Sequence, residues 1–207
     1  MLNTRPSRRD ELARLHAQAA DELAALRRLA AWHSEAATPE LGFRDHEVRA
    51  GPRVFPAADT VPALVAVGIA ALRKVFAECQ SRSDELLVST FGAYLVTAIH
   101  PFSDKNGHVA LDFFQYLLQR RWGLAAAQLN DKKDTHELIG LAFAPMDQGP
   151  GGTSAAEHLA RVEALLQRLD RLSLAGLWAD PNLVAAAHFL SLGCGVDFEP
   201  KLPARGA

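Results

Sequence analysis

The sequence predicts a mainly α-helical protein. Apolar residues recur at spacings of three and four over most of the chain, which is the period of a helix with one buried face. Alternating, strand-like sequence occurs in one short stretch before residue 56, and residues that favour turns separate the periodic runs. With 207 residues, 49% of them hydrophobic, the chain can bury the core of one compact domain.

We divide this domain into three segments. Residues 1–37 are expected to form an N-terminal helix that packs on the core, residues 38–172 the core itself, and residues 173–207 a C-terminal helix and tail. A stripe of Leu and Ala continues without a break through the first segment, so the N-terminal helix is predicted to run from residue 7 to residue 33. Ser7 is its predicted N-cap.

Composition restricts the classes of partner and compartment. The formal net charge of −2 gives no basic footprint for nucleic acid. The two cysteines, Cys79 and Cys194, are far apart and lie outside any metal-binding spacing, which fits a reducing compartment. The N-terminus has no apolar signal region, and no uninterrupted apolar run approaches the roughly 18 residues of a membrane span. We therefore expect a soluble, cytoplasmic protein without a membrane partner, and delivery to another cell by a leaderless route stays open.

Two short strand-like pieces lie between the N-terminal helix and the core helices. Glu47–Arg49 and Arg53–Phe55 flank residues 50–52, a short loop that contains Gly, and this arrangement predicts a β-hairpin. The hairpin region spans about residues 42–56. On its residues alone it could also be an exposed connector.

The remaining helices follow from the same periodicity. They are expected at 60–79, 83–100, 107–119 and 130–146, then after Ser154 as far as Leu169, and finally at 183–192. Ser83 and Ser154 are the predicted N-caps of two of these helices. The Gly- and Pro-rich residues 148–154 are expected to form a flexible break, and the tail from residue 200 onward to be frayed.

One loop carries the residue types of a phosphate-handling site. His100–His108 lies between two predicted core helices, and the proline after His100 ends the first of them. A histidine at a helix carboxyl end has its protonated form favoured by the helix dipole, so His100 could accept a hydroxyl proton near neutral pH. Asp104 could hold Mg²⁺, and the N–H groups of Asn106 and Gly107 could face a phosphate. The alternative is a structural elbow in which His100 and Asp104 only cap helix ends.

The same loop resembles the signature of the Fic family, His-Pro-Phe-x-Asp/Glu-Gly-Asn-Gly-Arg-x-x-Arg. The positions that match in register are His100, Pro101, Phe102, Asp104, Asn106 and Gly107. Three positions depart from the signature, because Lys105 stands where the family has Gly, and His108 and Leu111 stand where it has its two Arg. The likeness covers about residues 40–170 and includes the order of hairpin, helix and signature loop.

This resemblance implies a Fic-like helical core with a small β-hairpin flap before the core helices. It also implies a transferase that moves a phosphate-containing group, most often AMP from ATP or from another phosphate-linked donor, onto a protein hydroxyl. In such an enzyme His100 deprotonates a Ser, Thr or Tyr hydroxyl of the target protein, and Asp104 holds Mg²⁺ on the nucleotide phosphates. The resemblance assigns the anion hole and the nucleotide contacts to Phe102, Lys105, Asn106, Gly107 and His108. It assigns positioning of the target to the flap residues Val48, Arg49, Arg53 and Val54.

The departures from the signature leave three hypotheses open. The first is a working nucleotidyl- or phosphotransferase with an altered donor preference, because losing two Arg removes two charged phosphate contacts, each worth roughly 1.5–3 kcal/mol. Such an enzyme should discriminate poorly between nucleoside tri- and diphosphates. The second is a degenerate Fic-like protein that binds a nucleotide or a protein without catalysis. The third is a helical interaction module in which the elbow is structural.

Two further expectations concern the neighbours of the loop. Asp112 lies one helical turn beyond His108 and is expected to pair with it. The segment Ser7 to Glu11 has the spacing of the inhibitory helix found in many Fic proteins. However, Leu12 follows it and Leu111 removes the Arg that such a helix would pair with, so we interpret this segment as a helix cap.

Overall fold

The computed structural model describes residues 7–50, 53–123, 155–171, 174–194 and 197–199. Within these ranges the chain is mainly helical, as the sequence predicts. The helices are α1 (Arg8–Gln18), α2 (Glu22–His33), α3 (Val61–Glu78), α4 (Arg82–Ile99), α5 (Asn106–Trp122), α6 (Ala155–Arg171), α7 (Leu174–Trp178) and α8 (Pro181–Cys194). Strands β1 (Arg49–Ala50) and β2 (Arg53–Val54) precede α3, and a 3₁₀ turn (Ala58–Thr60) leads into it.

The single N-terminal helix predicted from the sequence is wrong, because the segment forms two helices. Ser7 caps α1 as expected, and its hydroxyl accepts a hydrogen bond from the Asp10 N–H at 3.2 Å. The chain then leaves the helix at Ala19, and Asp21 caps α2 by accepting from the Ala24 N–H at 2.9 Å. Asp is a strong N-cap residue, so its side chain starts a second helix inside a run whose apolar stripe continues.

Helix α4 is the centre of the fold, because 15 of its 18 residues are buried. Its N-cap is Ser81, two residues before the predicted Ser83. Ser81 and Asp84 form a capping box, in which each side chain accepts a hydrogen bond from the backbone N–H of the other residue. At Gly92 an added Cβ would lie 2.7 Å from Leu117 Cδ1, so this glycine allows α5 to approach α4 closely.

The other helices surround α4 and complete one core. Helix α5 packs on α4 and is covered on another side by α1 and α2, while α3 packs on α4 and on α6. Helices α7 and α8, of which the sequence predicted only the second, also pack on α4. The largest fully buried side chains include Phe91, Phe102, Phe113, Phe114 and Tyr116. Residues 100–105 join α4 to α5, and among the described helices these two have the most extensive contact with each other.

The predicted hairpin is present as a two-stranded antiparallel ribbon. Arg49 pairs with Val54 and Ala50 pairs with Arg53. Ala50, which was predicted to belong to the loop, is the last residue of β1. The ribbon is short, and Val48 lies just before it as a half-buried residue.

Several predicted features lie outside the described residues. These are the helix at 130–146, the Gly-rich break at 148–154 with Ser154, and the tail from Pro200 onward. Within the described ranges one stretch, Ala58–Glu78, is long and apolar enough to cross a membrane by length and composition. It contains α3, whose inner face supplies Val61, Leu72 and Val75 to the core, and core helices commonly pass the same test.

Candidate functional site

The loop between α4 and α5 is bounded by two residues in left-handed backbone conformations. His100 ends α4 with φ 53° and ψ 59°, and its N–H donates to the Val96 carbonyl at 2.9 Å. Lys105 precedes α5 with φ 62° and ψ 12°. The predicted placement of His100 at the helix carboxyl end is confirmed, and the intervening residues form a compact turn.

Phe102 and Asn106 close this turn from inside. The Phe102 side chain is fully buried in the core. The Asn106 side chain is 1% exposed, accepts a hydrogen bond from the Phe102 N–H at 2.9 Å and donates to the Phe102 carbonyl at 2.8 Å. Both ends of the amide are therefore used to hold the loop. Asn106 can face an anion only through its backbone N–H, together with that of Gly107 in the first turn of α5.

The His100 imidazole is oriented by two neighbours. Its Nδ1 lies 3.3 Å from the Thr97 carbonyl, and because a carbonyl can only accept, Nδ1 is the nitrogen that donates. This selects the tautomer in which Nε2 carries the lone pair. On one face, the Phe55 ring stacks on the imidazole with centroids 3.8 Å apart and an interplanar angle of 15°. The Thr97 carbonyl and the Phe55 ring therefore fix the tautomer and the orientation of the imidazole.

Arg44 ties the flap region to the loop. Its side chain is 4% exposed and donates to the carbonyls of His100 (2.8 Å), His46 (2.9 Å) and Pro56. Its backbone N–H donates to the Pro101 carbonyl at 3.0 Å. Burial lowers the pKa of Arg44 below its usual range, but a guanidinium keeps its charge in proteins. One buried cation therefore connects His100 to the start and the end of the flap region.

The hairpin itself lies just beyond these contacts. Arg49 on β1 is exposed, and Val48 and Val54 are half-buried. Arg53 contributes backbone pairing to Ala50. Since β2 leads directly to Phe55, the ribbon is anchored to the loop between α4 and α5 through the ring that stacks on His100.

Asp104 is the exposed carboxylate of the loop. Its side chain is 75% exposed, Oδ1 accepts a hydrogen bond from the Lys105 N–H at 2.6 Å, and Oδ2 lies 3.6 Å from Lys105 Nζ. Among the described residues no group of three or more His, Cys, Asp or Glu side chains could hold a metal. Mg²⁺ commonly binds one or two carboxylates together with nucleotide phosphates and waters. Asp104 fits that role, and the Lys105 ammonium competes for it.

The two positions where the Fic signature has Arg differ in environment. His108 is exposed on the outer surface of α5, while Leu111 is 4% exposed and packs in the core. An Arg at 111 in this fold would bury a charge without a built partner, which is costly. The Leu that stands at position 111 therefore suits the buried environment of that position, and an Arg would not.

The predicted pairing of Asp112 with His108 is wrong. Asp112 is 1% exposed and is bound by His33, whose Nε2 lies 2.8 Å from Asp112 Oδ2, and by Arg8. His108 contacts the ring of His33 instead, with centroids 5.4 Å apart. The i, i+4 spacing put Asp112 and His108 on one face of α5, but the packing of α1 and α2 on that face brings competing cations to the carboxylate.

The predicted inhibitory-type spacing at Ser7 to Glu11 has a local explanation. Ser7 caps α1, and the buried Glu11 side chain pairs with Arg14 one turn later at 2.7 Å. Leu12 and Leu15 on the same helix are buried in the core. In the described structure this segment acts as a helix cap, as we interpreted it from the sequence.

Three residues that contact the loop were not found by reading the sequence. Arg44 and Phe55 act across 56 and 45 positions of chain, and His33 lies at the end of α2. A weak signal for Arg44 existed, because it follows Gly42 and Phe43 in the run that resembles the Fic flap. Phe55 was predicted as the end of the second strand-like piece but not as a contact of His100, and no local pattern pointed to His33.

Comparison with known proteins adds no assignment. The sequence matches no protein-family model and no curated protein.

Proposed function

We propose that this protein is a Fic-like transferase that moves a phosphate-containing group, most simply AMP from a nucleotide, onto a protein hydroxyl. The observation that carries the proposal is the joining of flap and loop at His100. Phe55, directly after β2, stacks on the imidazole, and Arg44 binds the His100 carbonyl. A purely structural elbow needs neither contact. A catalytic base has to meet the substrate segment, and if that segment binds beside a strand of the flap, the flap and the loop must lie together.

In the proposed reaction the target hydroxyl gives its proton to His100 Nε2 as its oxygen attacks the α-phosphorus. The bond from phosphorus to the bridging oxygen then breaks, and with ATP the leaving group is pyrophosphate. Because Nδ1 donates to the Thr97 carbonyl, the lone pair that accepts the proton is on Nε2. Mg²⁺, when bound to Asp104 and the phosphates, would neutralise negative charge that repels the attacking oxygen. The N–H groups of Asn106 and Gly107 point from the first turn of α5, where an anion is favoured.

The target segment would add to the flap. Ribbon β1–β2 is two residues per strand and therefore offers a short edge to an extended peptide. Val48 and Val54 give an apolar surface near that edge, and Arg49 gives an exposed charge. This arrangement would bring a Ser, Thr or Tyr hydroxyl toward His100.

A catalytically weak nucleotide- or protein-binding module is the second candidate. The observation that favours it is the Lys105 ammonium 3.6 Å from Asp104 Oδ2, since a bound cation must displace or tolerate it. The buried Leu111 also removes one of the two charged phosphate contacts of the signature. In the first candidate His100 accepts a proton during transfer, and in the second candidate no transfer takes place.

A transfer assay separates them. The protein is incubated with Mg²⁺ and radiolabelled ATP, ADP or other nucleotide donors, and intact mass and label incorporation are measured with a cell extract as the source of targets. We expect label on protein with the wild type and none with His100→Ala, while His16→Ala, an exposed histidine of α1, behaves as the wild type. Nucleotide binding without transfer by the wild type would support the second candidate, and equal transfer by a folded His100→Ala variant would exclude His100 as the base.

A further inference from the structure

A second group of charged side chains meets beside the loop, and it comes from helices that precede the flap. Asp112 of α5 lies at its centre and is 1% exposed. Arg8, the first residue of α1, and His33, the last residue of α2, both bind its carboxylate. Because one carboxylate binds the side chains of both Arg8 and His33, α1 and α2 are both fixed against the first turns of α5.

His33 and His108 lie side by side at this point. Their ring centroids are 5.4 Å apart with an interplanar angle of 49°. His33 uses Nε2 for Asp112, and within the described ranges no hydrogen bond engages its Nδ1 or either ring nitrogen of His108. The His33 side chain is 12% exposed, and His108 is exposed, so a small solute can reach the pair from solvent.

The charges around His108 favour an anion. Burial lowers the pKa of His108 below its usual range, and His33 of α2, Lys105 before α5 and Arg8 of α1 lower it further, while Asp112 of α5 opposes them. Positive groups from three elements thus converge on the first turn of α5, where the free backbone N–H groups add to the same potential. An anion placed there would relieve the repulsion and favour protonation of the imidazoles.

We propose that His33 and His108 form a phosphate-binding imidazole pair, which holds the terminal phosphate group of the nucleotide donor. The pair rests on the proposed function, and it makes α2 part of donor recognition. In the bound state His33 is an imidazolium that donates Nε2–H to Asp112 and Nδ1–H to the phosphate, and His108 donates a second hydrogen bond. Asp112 acts as a positioning residue for His33 and does not touch the donor.

If His33 and His108 hold the terminal phosphate, the affinity of the protein for ADP and ATP should depend on pH. His33 can donate from both ring nitrogens only as an imidazolium, whereas neutral His108 already has one N–H to donate. Lowering the pH from 8 to 6 should therefore tighten the binding of ADP and ATP by about tenfold. AMP has no terminal phosphate at the pair and should change little over the same range. A site built from Arg would not bind more tightly at low pH, because a guanidinium does not titrate there and the phosphate loses negative charge as the pH falls.

Calorimetric titration of AMP, ADP and ATP with Mg²⁺ at pH 6 and pH 8 tests the pair. We expect His33→Asn and His108→Asn each to weaken the binding of ADP and ATP by about tenfold at pH 6, and His33→Asn also to remove the pH dependence, with AMP affinity unchanged. His16→Asn, an exposed histidine on α1, is the matched control and should behave as the wild type. ATP affinity that stays independent of both substitutions would overturn the pair while leaving the proposed function standing.

A second titration uses pyrophosphate and does not need a nucleotide site. The imidazole C–H resonances of His33 and His108, assigned from the two variants, should shift downfield on addition of pyrophosphate at pH 7. Pyrophosphate shifts without nucleotide binding would support the anion pair and refute the proposed function. Resonances that respond to Zn²⁺ and not to pyrophosphate, or to neither probe, would overturn the pair as an anion site and leave the proposed function to be decided by the transfer assay.

Discussion

At the scale of single residues, the site depends on two strained positions. A left-handed backbone costs a residue with a side chain roughly 1–2 kcal/mol, so neighbouring contacts have to hold His100 and Lys105 in place. Arg44 holds the first through the His100 carbonyl. Asp104 holds the second by accepting from the Lys105 N–H. The backbone geometry of His100 and Lys105 therefore depends on side chains that lie outside the two strained positions.

Arg44→Lys should destabilise the fold by about 1–3 kcal/mol, because an ammonium cannot meet three carbonyls in the plane of a guanidinium and leaves a buried acceptor unsatisfied. Urea unfolding followed by circular dichroism measures the change. Arg49→Lys, on the exposed side of β1, is the matched control and should stay within about 0.5 kcal/mol of the wild type. Equal midpoints for the two variants would show that Arg44 does not hold the flap.

Lys105→Gly should stabilise the loop and strengthen Mg²⁺-dependent nucleotide binding. Glycine adopts the φ of 62° without steric cost. Because ordering the more flexible glycine chain costs entropy, the net gain in the free energy of unfolding should be at most about 1 kcal/mol. The substitution also removes the ammonium 3.6 Å from Asp104. Lys105→Ala separates the two effects, because it removes the charge but keeps the side-chain strain.

Thermal unfolding and calorimetric titration of ATP with and without Mg²⁺ give the two readouts. We expect only Lys105→Gly to raise the melting temperature, and both variants to bind ATP more tightly when Mg²⁺ is present. A melting temperature for Lys105→Gly below that of Lys105→Ala would contradict the strain argument. Unchanged Mg²⁺ dependence in both variants would contradict the competition between Lys105 and the cation.

At the scale of elements, helical periodicity predicted the existence of the core helices but not the interruptions. Helices α3, α4, α5 and α8 were predicted nearly within a turn of their observed ends. The break between α1 and α2 was missed because the apolar stripe continues through it, and only the capping preference of Asp21 marks it. Helix α7 was missed because five residues are too few to show a period.

Asp21, the N-cap of α2, should contribute to the stability of the protein in a way that depends on pH. The hydrogen bond from the Ala24 N–H is the main cause that holds the pKa of Asp21 below 3.8, with Arg73 contributing. A depressed folded pKa means that the ionised cap stabilises the protein above about pH 4, and that this contribution is lost as pH falls through the folded value. Asp21→Asn also caps a helix but does not titrate.

Urea unfolding of both proteins at pH 7, 5, 3.5 and 2.5 isolates this effect. We expect similar stability at pH 7 and a difference that moves in favour of Asp21→Asn only below about pH 4. The other carboxylates titrate in both proteins, so the difference reports on Asp21. Parallel stability curves down to pH 2.5 would show that Asp21 does not use its charge as a cap.

At the scale of the whole molecule, the position of the loop between two core helices could be predicted from the sequence, and its surroundings could not. His100 at a helix end and Asn106 at the next helix start follow from local spacing. The contacts of Arg44, Phe55 and His33 with the loop join residues far apart in sequence, and local periodicity carries no information about them. The pairing of Asp112 was predicted wrongly for the same reason, since it depends on which helices cover α5.

The packing of the whole core can be followed through Cys79, which ends α3 near the start of α4. Burial raises the pKa of Cys79 from 9.0 to about 12, with Asp84 and Glu85 adding to the effect and Arg121 of α5 opposing it. Its Sγ also donates to the Val75 carbonyl at 3.5 Å. Because the thiolate is the reactive form, the native thiol at pH 8 should be on the order of a thousandfold less reactive than an unperturbed one.

Alkylation by iodoacetamide in a Cys194→Ser background therefore reports on opening of the fold. We expect labelling at pH 8 to be on the order of a thousandfold slower in the native protein than in 8 M urea, and to accelerate in parallel with the loss of helical signal as urea is added. Arg44→Lys should increase the native labelling rate only as far as it lowers global stability, because Cys79 is distant in sequence from the flap and reports on α3 and α4. Labelling in the native state at nearly the unfolded rate would show that the end of α3 opens independently of the core, and that α4 is not the common centre on which the other helices depend.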